Sequence, residues 1–202
     1  MKIAELLSQC DLYVASEERL ASCEPFMCSN IDLNDFFAHD ASKYQEHLLG
    51  KTYIFCLKST PNIILSAFTL SNDSIRITNK IPISDVGIFL EKNELGQKRL
   101  KRYPSVLIGR LGVNSSYEGK GYGSAIMDFI KLWFLTNNKT GCRFLIVDAY
   151  NNPRTIKYYQ NNGFNYLIQD EKQEAKYMGI GQGRLPLKTR LMYFDLLQIK
   201  TR

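Results

Sequence analysis

The chain has 202 residues, a formal net charge of +6 and a pI near 9.0, with 45% hydrophobic, 12% aromatic and 23% charged residues. That length suits one domain, residues 1–202, with a true hydrophobic core, and the composition excludes large-scale disorder. Apolar runs of only a few residues argue against a membrane span, and Met1 to Cys10, with Lys2 and Glu5, does not read as a secretory leader.

Five cysteines (Cys10, Cys23, Cys28, Cys56 and Cys142) are odd in number, scattered and without a C-x-x-C pair, and the only histidines are His39 and His47. Reduced thiols in a cytoplasmic protein are expected, and no metal site. The basic excess gathers at Lys92, Lys98, Arg99, Lys101 and Arg102, and again at Lys188, Arg190, Lys200 and Arg202. Such clusters serve either as solvated loops or as a polyanion surface for RNA or an acidic partner.

Leu12-Tyr13-Val14 reads as a short first strand. From Ile31 the spacing of Leu33, Phe36, Phe37, Tyr44 and Leu48 predicts a helix capped by Asp32 and closed by Gly50, with a local pair between Asp35 and His39. The runs at 52–57 and 63–70, separated by Ser59-Thr60-Pro61-Asn62, predict an antiparallel hairpin. Ser71-Asn72-Asp73-Ser74 breaks the pattern before Ile75-Arg76-Ile77. Residues 79–103 carry no regular pattern and suit a substrate-facing or mobile loop.

An apolar strand, Val106 to Val113, then leads into Glu118-Gly119-Lys120-Gly121-Tyr122-Gly123-Ser124. A helix follows, with Ile126, Phe129, Ile130, Trp133 and Phe134 on one face, ended by Thr140-Gly141. Strand, glycine turn and helix start form an anion site: the first N–H groups of a helix lack internal partners, the dipole adds positive charge, and glycine lets backbone approach phosphate oxygens. The spacing matches neither G-x-x-x-x-G-K-S/T nor the dinucleotide fingerprint. Phe144 to Val147 predicts a buried strand parallel to the preceding one, joined to it by the helix. Asn152-Pro153 opens a helix that Gly163 stops. Strands are expected at 164–168 and 191–194, with a polar, glycine-rich connection between them. The chain thus reads as a single α/β domain with a mixed sheet.

Two motifs resemble the GCN5-related N-acetyltransferase (GNAT) family. Its phosphate loop, Q/R-x-x-G-x-G/A, matches Glu118 to Gly123 except at the first position. Its pattern N-x-x-A-x-x-L/F-Y-x-x-x-G-F is matched by Asn152, Tyr159, Gly163 and Phe164, with Thr155 and Tyr158 at looser places. The resemblance covers about Val106 to Phe164. It implies a central sheet of about six to seven strands, helices on both faces, and strands splayed at an acetyl-CoA cleft. It further implies transfer of acetyl from acetyl-CoA to a primary amine.

On this resemblance, backbone N–H groups near Leu111, Gly112 and Val113 hold the pantetheine arm and polarise the thioester carbonyl. Gly119, Lys120, Gly121, Tyr122, Gly123 and Ser124 take the diphosphate, and Asn152 belongs to the same cofactor-binding set. Tyr159 stands at the position of the acid that protonates the departing thiolate. Glu118 departs from the family's basic or amide residue; Lys120 supplies the missing charge. No carboxylate occupies the strand before the loop, and Asp148, the nearest acid, reads as structural. Arg110, charged within an apolar strand, either positions an acidic or phosphorylated part of the substrate or joins an ion pair.

Ile31 to Phe37, Gly109-Arg110-Leu111-Gly112-Val113 and the strand after Lys188-Thr189-Arg190 also resemble the family branch whose bacterial toxins acetylate charged tRNA. That likeness adds aminoacyl-tRNA as acceptor, and an antitoxin-like protein or a second copy as partner. Small-molecule or protein amines are alternative acceptors. The rival class is a non-catalytic acyl-CoA-binding regulatory module, and a generic nucleic-acid-binding domain leaves both motifs unexplained.

Overall fold

The computed structural model describes residues 1–82, 100–136 and 140–200. Much of the irregular 79–103 segment, with Lys92, Lys98 and Arg99, lies outside the described residues, as does Arg202. The chain divides into two compact units, Met1–Asn72 with Ile108–Asn138, and Asp73–Leu107 with Lys139–Arg202.

The first unit starts with α1 (Ile3–Gln9), β1 (Cys10–Val14) and α2 (Glu17–Ala21), followed by α3 (Ile31–His39) and α4 (Ala41–Glu46). The helix expected over this last stretch is two. Asn30, not Asp32, caps the first, accepting from the Asp32 and Leu33 N–H groups. Asp40 (φ −115°, ψ −20°) ends α3 and starts α4. Leu48 therefore leaves the apolar face; it sits at φ +56° with 92% of its surface exposed. The Asp35–His39 pair forms at 3.8 Å on the surface.

The expected hairpin is β2 (Lys51–Leu57) against β3 (Ile64–Arg76), antiparallel, with β1 on the other edge of β2. β3 does not break at Ser71–Ser74 but runs through it into the second unit. β4 (Arg102–Val113) crosses back, and α5 (Tyr122–Leu135) follows. Alternation along β2 builds a layer on each face of this sheet. Ile54 and Cys56 pack with Phe36 and Phe37 of α3. Tyr53 and Phe55 meet Trp133 and Phe129 of α5 edge-on, at 4.9 and 5.2 Å. Phe55, fully buried among these rings, contributes a few kcal/mol relative to exposure, about 2–3 by area.

In the second unit β4 pairs in parallel with β5 (Phe144–Tyr150), as expected. α6 (Pro153–Asn161), β6 (Asn165–Tyr166), α7 (Glu171–Met178), β7 (Thr189–Asp195) and α8 (Leu197–Lys200) follow. β7 is antiparallel to both β5 and β6, and the strand order is β1-β2-β3-β4-β5-β7-β6. The sheet is thus mixed and seven-stranded. α7 lies where a polar connection was expected. Arg190 is not part of a surface basic cluster: its buried guanidinium bonds Glu174 at 2.7 Å and the Ile168 and Gln169 carbonyls at 3.0 Å. Among the described residues no helix is long and apolar enough to cross a membrane.

Candidate active site

The parallel register of β4 and β5 ends at Leu107↔Ile146. β4 nevertheless continues six residues, to Val113, and β5 four, to Tyr150. At its far end the Asn114 N–H donates to the Leu65 carbonyl at 2.8 Å, so that position faces β3. Strand alternation turns the N–H groups of Leu111 and Val113 to the edge away from β3, where they have no strand partner among the described residues. Gly112 faces the other way into packing: a Cβ there would lie 3.1 Å from the Phe26 ring and 3.3 Å from Cys28 Sγ. Arg110 lies on that same face, its guanidinium 3.8 Å above Phe36 and 5.2 Å from the Tyr44 ring centre. Cation–aromatic stacking, rather than a carboxylate, is what holds it in this unit.

Asn114 fastens the start of the loop. Its side chain donates to the Ile64 carbonyl at 3.1 Å and accepts the Ser116 N–H at 3.0 Å, leading into the 3-10 turn Ser115–Tyr117. Glu118 Oε1 accepts the Ser29 N–H at 3.1 Å, which assigns its carboxylate a structural bond. Lys120 Nζ donates to the Ser116 carbonyl at 2.9 Å and lies 5.2 Å over the Tyr117 ring. Both flanking charges are therefore drawn onto the scaffold.

Gly119 and Gly121 have φ of +75° and +85°, a conformation that costs an L-residue about 1–2 kcal/mol. They reverse the chain into α5 so that its first N–H groups point outward. The N–H groups of Gly119, Gly121, Tyr122 and Ser124 donate to no described residue, while Ala125 closes the first helical bond to Gly121. Tyr122 is buried and anchors this turn through its hydroxyl, which donates to Gln9 Oε1 at 2.8 Å. Ser124 is exposed, and Gly123 lies between these two. Outward N–H groups on a left-handed glycine turn at a helix start form an anion cradle.

In the second unit, Asn152 caps α6 by accepting the Thr155 N–H at 2.9 Å. That bond uses its side chain locally. Tyr159 is half-buried; its ring meets Tyr158 at 5.1 Å and Phe164 at 5.5 Å, and Phe164 packs on Phe194 at 5.7 Å. Its hydroxyl has no hydrogen-bond partner among the described residues. Burial, with a further contribution from the Asp148 carboxylate, pushes that hydroxyl above the ordinary tyrosine range. It is a group held protonated at neutral pH and open to an incoming acceptor atom.

Burial also pushes the thiols of Cys10, Cys56 and Cys142 up to about 11, which leaves them poor nucleophiles. Sequence reasoning passed over Asn114 as the fastening of the loop and Gln9 as the partner of Tyr122. The first signal is an Asx turn two residues before Ser116. The second has no local signal, since the partners lie 113 residues apart.

Residues 85–166 match a family model described as acetyltransferase (GNAT) domain. No curated protein matches significantly. Among solved structures, a tyrosine-to-phenylalanine mutant of KacT aligns at TM-score 0.68 and 18% identity, covering 96% of this chain and 98% of that one. AtaTR bound with AcCoA aligns at 0.63 and 20%, covering 96% and 98%. AtaT complexed with acetyl-methionyl-tRNAfMet aligns at 0.65 and 18%, covering 95% and 98%. At these identities the likeness is one of fold, and the family match is confined to residues 85–166.

Proposed function

We propose that this domain moves acetyl from acetyl-CoA to the primary α-amine of an aminoacyl-tRNA, with residues 1–202 as one catalytic domain. The observation that carries the reading is the anion cradle of Gly119 to Ser124 at the end of a strand whose last N–H groups have lost their parallel neighbour. Diphosphate oxygens suit the cradle, and the N–H groups of Leu111 and Val113 suit an amide-bearing arm and a thioester carbonyl. Tyr159 is the proton donor to the departing thiolate: its pKa lies above that of a thiol, and it gives up its proton only as charge develops on sulfur. Asn152 supports this role by fixing the start of α6.

The acceptor reading is supported by the net charge of +6 and by the neighbour AtaT, whose structure holds acetyl-methionyl-tRNAfMet. Another neighbour is the AtaT toxin bound to the antitoxin AtaR and acetyl-CoA, and an antitoxin-like protein is the corresponding partner here, acting in the cytoplasm. Arg110 belongs to the acceptor side, and a homodimer is the assembly to test beside the antitoxin complex. The test is calorimetric titration with acetyl-CoA, followed by thiol release with methionyl-tRNA and with simple amines. Micromolar binding with release on methionyl-tRNA alone is expected. Binding without release on any acceptor would convert the reading to a non-catalytic acyl-CoA module, and absence of binding would end it.

A further inference from the structure

Several guanidinium groups of this chain lie over aromatic rings. Arg19 is 4.1 Å from the Tyr13 ring centre, Arg143 4.9 Å from that of Phe144, Arg190 4.3 Å from that of Tyr166 and Arg110 3.8 Å from that of Phe36. In the first three the N–H fork is also taken by acceptors of the chain. Arg19 donates to the Pro61 carbonyl at 2.8 Å, Arg143 to Asp195 at 3.0 Å and Arg190 to Glu174 at 2.7 Å. Arg110 differs. It is half-buried, yet among the described residues its fork makes no hydrogen bond or ion pair, and no nitrogen of it is sealed from solvent.

The stack around Arg110 lies within the first unit. Phe36 of α3 and Tyr44 of α4 meet edge-on at 5.1 Å, and the guanidinium of β4 reaches both rings. Ring contacts use the flat face of a guanidinium and leave its edge, which carries the five N–H donors. Asp35 and Asp40, the acids at these helices with a cationic partner, pair with His39 at 3.8 Å and Lys43 at 3.6 Å instead. Two rings hold the plane in place, so little side-chain freedom is left to lose when an anion arrives. Such a fork matches the two-oxygen edge of a carboxylate or a phosphate.

Position along β4 decides which anion. Arg110 comes one residue before Leu111, where the N–H groups that suit the thioester and the pantetheine arm begin. From there the strand runs through the Asn114 clamp to the cradle of Gly119 to Ser124. The donor's diphosphate belongs at the cradle end of this run, and Arg110 stands at the other, where acetyl group and acceptor meet. We propose that Arg110 binds a phosphodiester of the RNA acceptor, the linkage leading to the ribose that carries the aminoacyl ester. This rests on the aminoacyl-tRNA reading above. Amine and phosphate are there fixed on one terminal nucleotide, so a fork bonded to the phosphate sets where the amine arrives. Arg110 is thereby the residue that separates a nucleic-acid acceptor from a free amine.

The test compares two acceptors that share the amine and differ in the phosphate, methionyl-tRNA and methioninamide, with acetyl-CoA as donor. Arg110→Leu keeps apolar packing on the two rings. Its kcat/KM for thiol release should fall about 10- to 100-fold on methionyl-tRNA, the range for a charge-assisted pair, and stay within about 3-fold on methioninamide. The slope of log kcat/KM against log salt on methionyl-tRNA should flatten by about 0.7–0.9, the share of one phosphate. Arg110→Lys should restore that slope without the full rate, because a point charge lacks the fork. A further readout needs no turnover: uncharged tRNA should bind Arg110→Leu about 10-fold more weakly, while acetyl-CoA affinity in calorimetry is unchanged. An equal loss on both acceptors would make Arg110 a packing residue and overturn the assignment. So would a raised Kd for acetyl-CoA, which would give the phosphate to the donor. An inactive wild type whose tRNA binding still depends on Arg110 would keep the phosphate site and sink the acetyl-transfer reading instead.

Discussion

Gly119→Ala separates the folding role of the loop from its binding role. A Cβ at Gly119 would meet nothing within 4 Å, so the substitution carries no packing clash and only the strain of φ +75°. That strain is about 1–2 kcal/mol, which for a chain of this length lowers Tm by about 2–4 °C per kcal/mol. The open space is where the diphosphate is proposed to lie. A methyl group there holds the phosphate oxygens off the N–H groups and weakens one or two charge-assisted hydrogen bonds, about 1.5–3 kcal/mol each. Calorimetry with acetyl-CoA should show Kd raised about 10- to 100-fold, with Tm falling by only a few degrees. The comparison variant is Gly121→Ala, whose Cβ would lie 3.0 Å from the Met1 backbone nitrogen and should cost more stability. If Gly119→Ala lowers Tm as calculated while acetyl-CoA affinity stays within twofold, the loop is a turn and not a phosphate cradle.

Other substitutions probe the remaining assignments. Tyr159→Phe should lower kcat about 10²- to 10⁴-fold, the usual worth of a general acid, with acetyl-CoA affinity unchanged in calorimetry. Because the raised pKa keeps the phenol protonated, wild-type kcat should show no decline from this group between pH 7 and 10, and a decline there that Tyr159→Phe abolishes would contradict the burial argument. Glu118→Gln can still accept the Ser29 N–H while removing a negative charge beside the cradle. Acetyl-CoA should bind about 2- to 5-fold tighter at low salt, with the gain fading as salt rises; weaker binding would show that the carboxylate contributes to the cradle. Leu48→Gly relieves a left-handed leucine and should raise stability by up to about 1 kcal/mol after the entropic cost of glycine, read as a higher Tm.

The legible parts of the fold were those written in short range. The β2–β3 hairpin, the strand–glycine–helix unit and the parallel neighbour at Phe144 all carry periodicity or turn residues within ten positions of one another. What escaped depended on distant partners. β3 runs through Ser71-Asn72-Asp73-Ser74, four turn-forming residues, because tertiary pairing overrides local preference. α7 shows only a thin apolar face because, beside Ala175 and part of Tyr177, what it buries is a carboxylate. Glu174 is fully buried, accepting from Arg190 and from the Leu191 N–H at 2.6 Å. No hydrophobic pattern announces a helix held by a buried ion pair, nor marks Arg190 as the residue that completes it. The break at Asp40 is hidden likewise, since Tyr44 of α4 still reaches Phe36 of α3 edge-on at 5.1 Å. The site follows the same rule: the glycines and Tyr159 stood out by motif, whereas Gln9, which holds the Tyr122 hydroxyl, lies 113 residues from its partner.

Glu118 shows how a departure from a motif can leave its chemistry intact. An anion site built on side-chain cations loses affinity when a cation becomes a carboxylate. One built on backbone N–H groups depends instead on chain direction, and direction here is fixed by the left-handed conformations of Gly119 and Gly121 and by the Asn114 clamp on β3. Both charged side chains at this turn bond back to the scaffold, Glu118 to the Ser29 N–H and Lys120 to the Ser116 carbonyl. Their charges lie within one turn of each other and largely offset at the range where a diphosphate would sense them. The tolerant position in such a cradle is therefore 118, and the intolerant ones are 119 and 121. A sequence comparison that weighs the first motif letter as heavily as the glycines would rank them the other way.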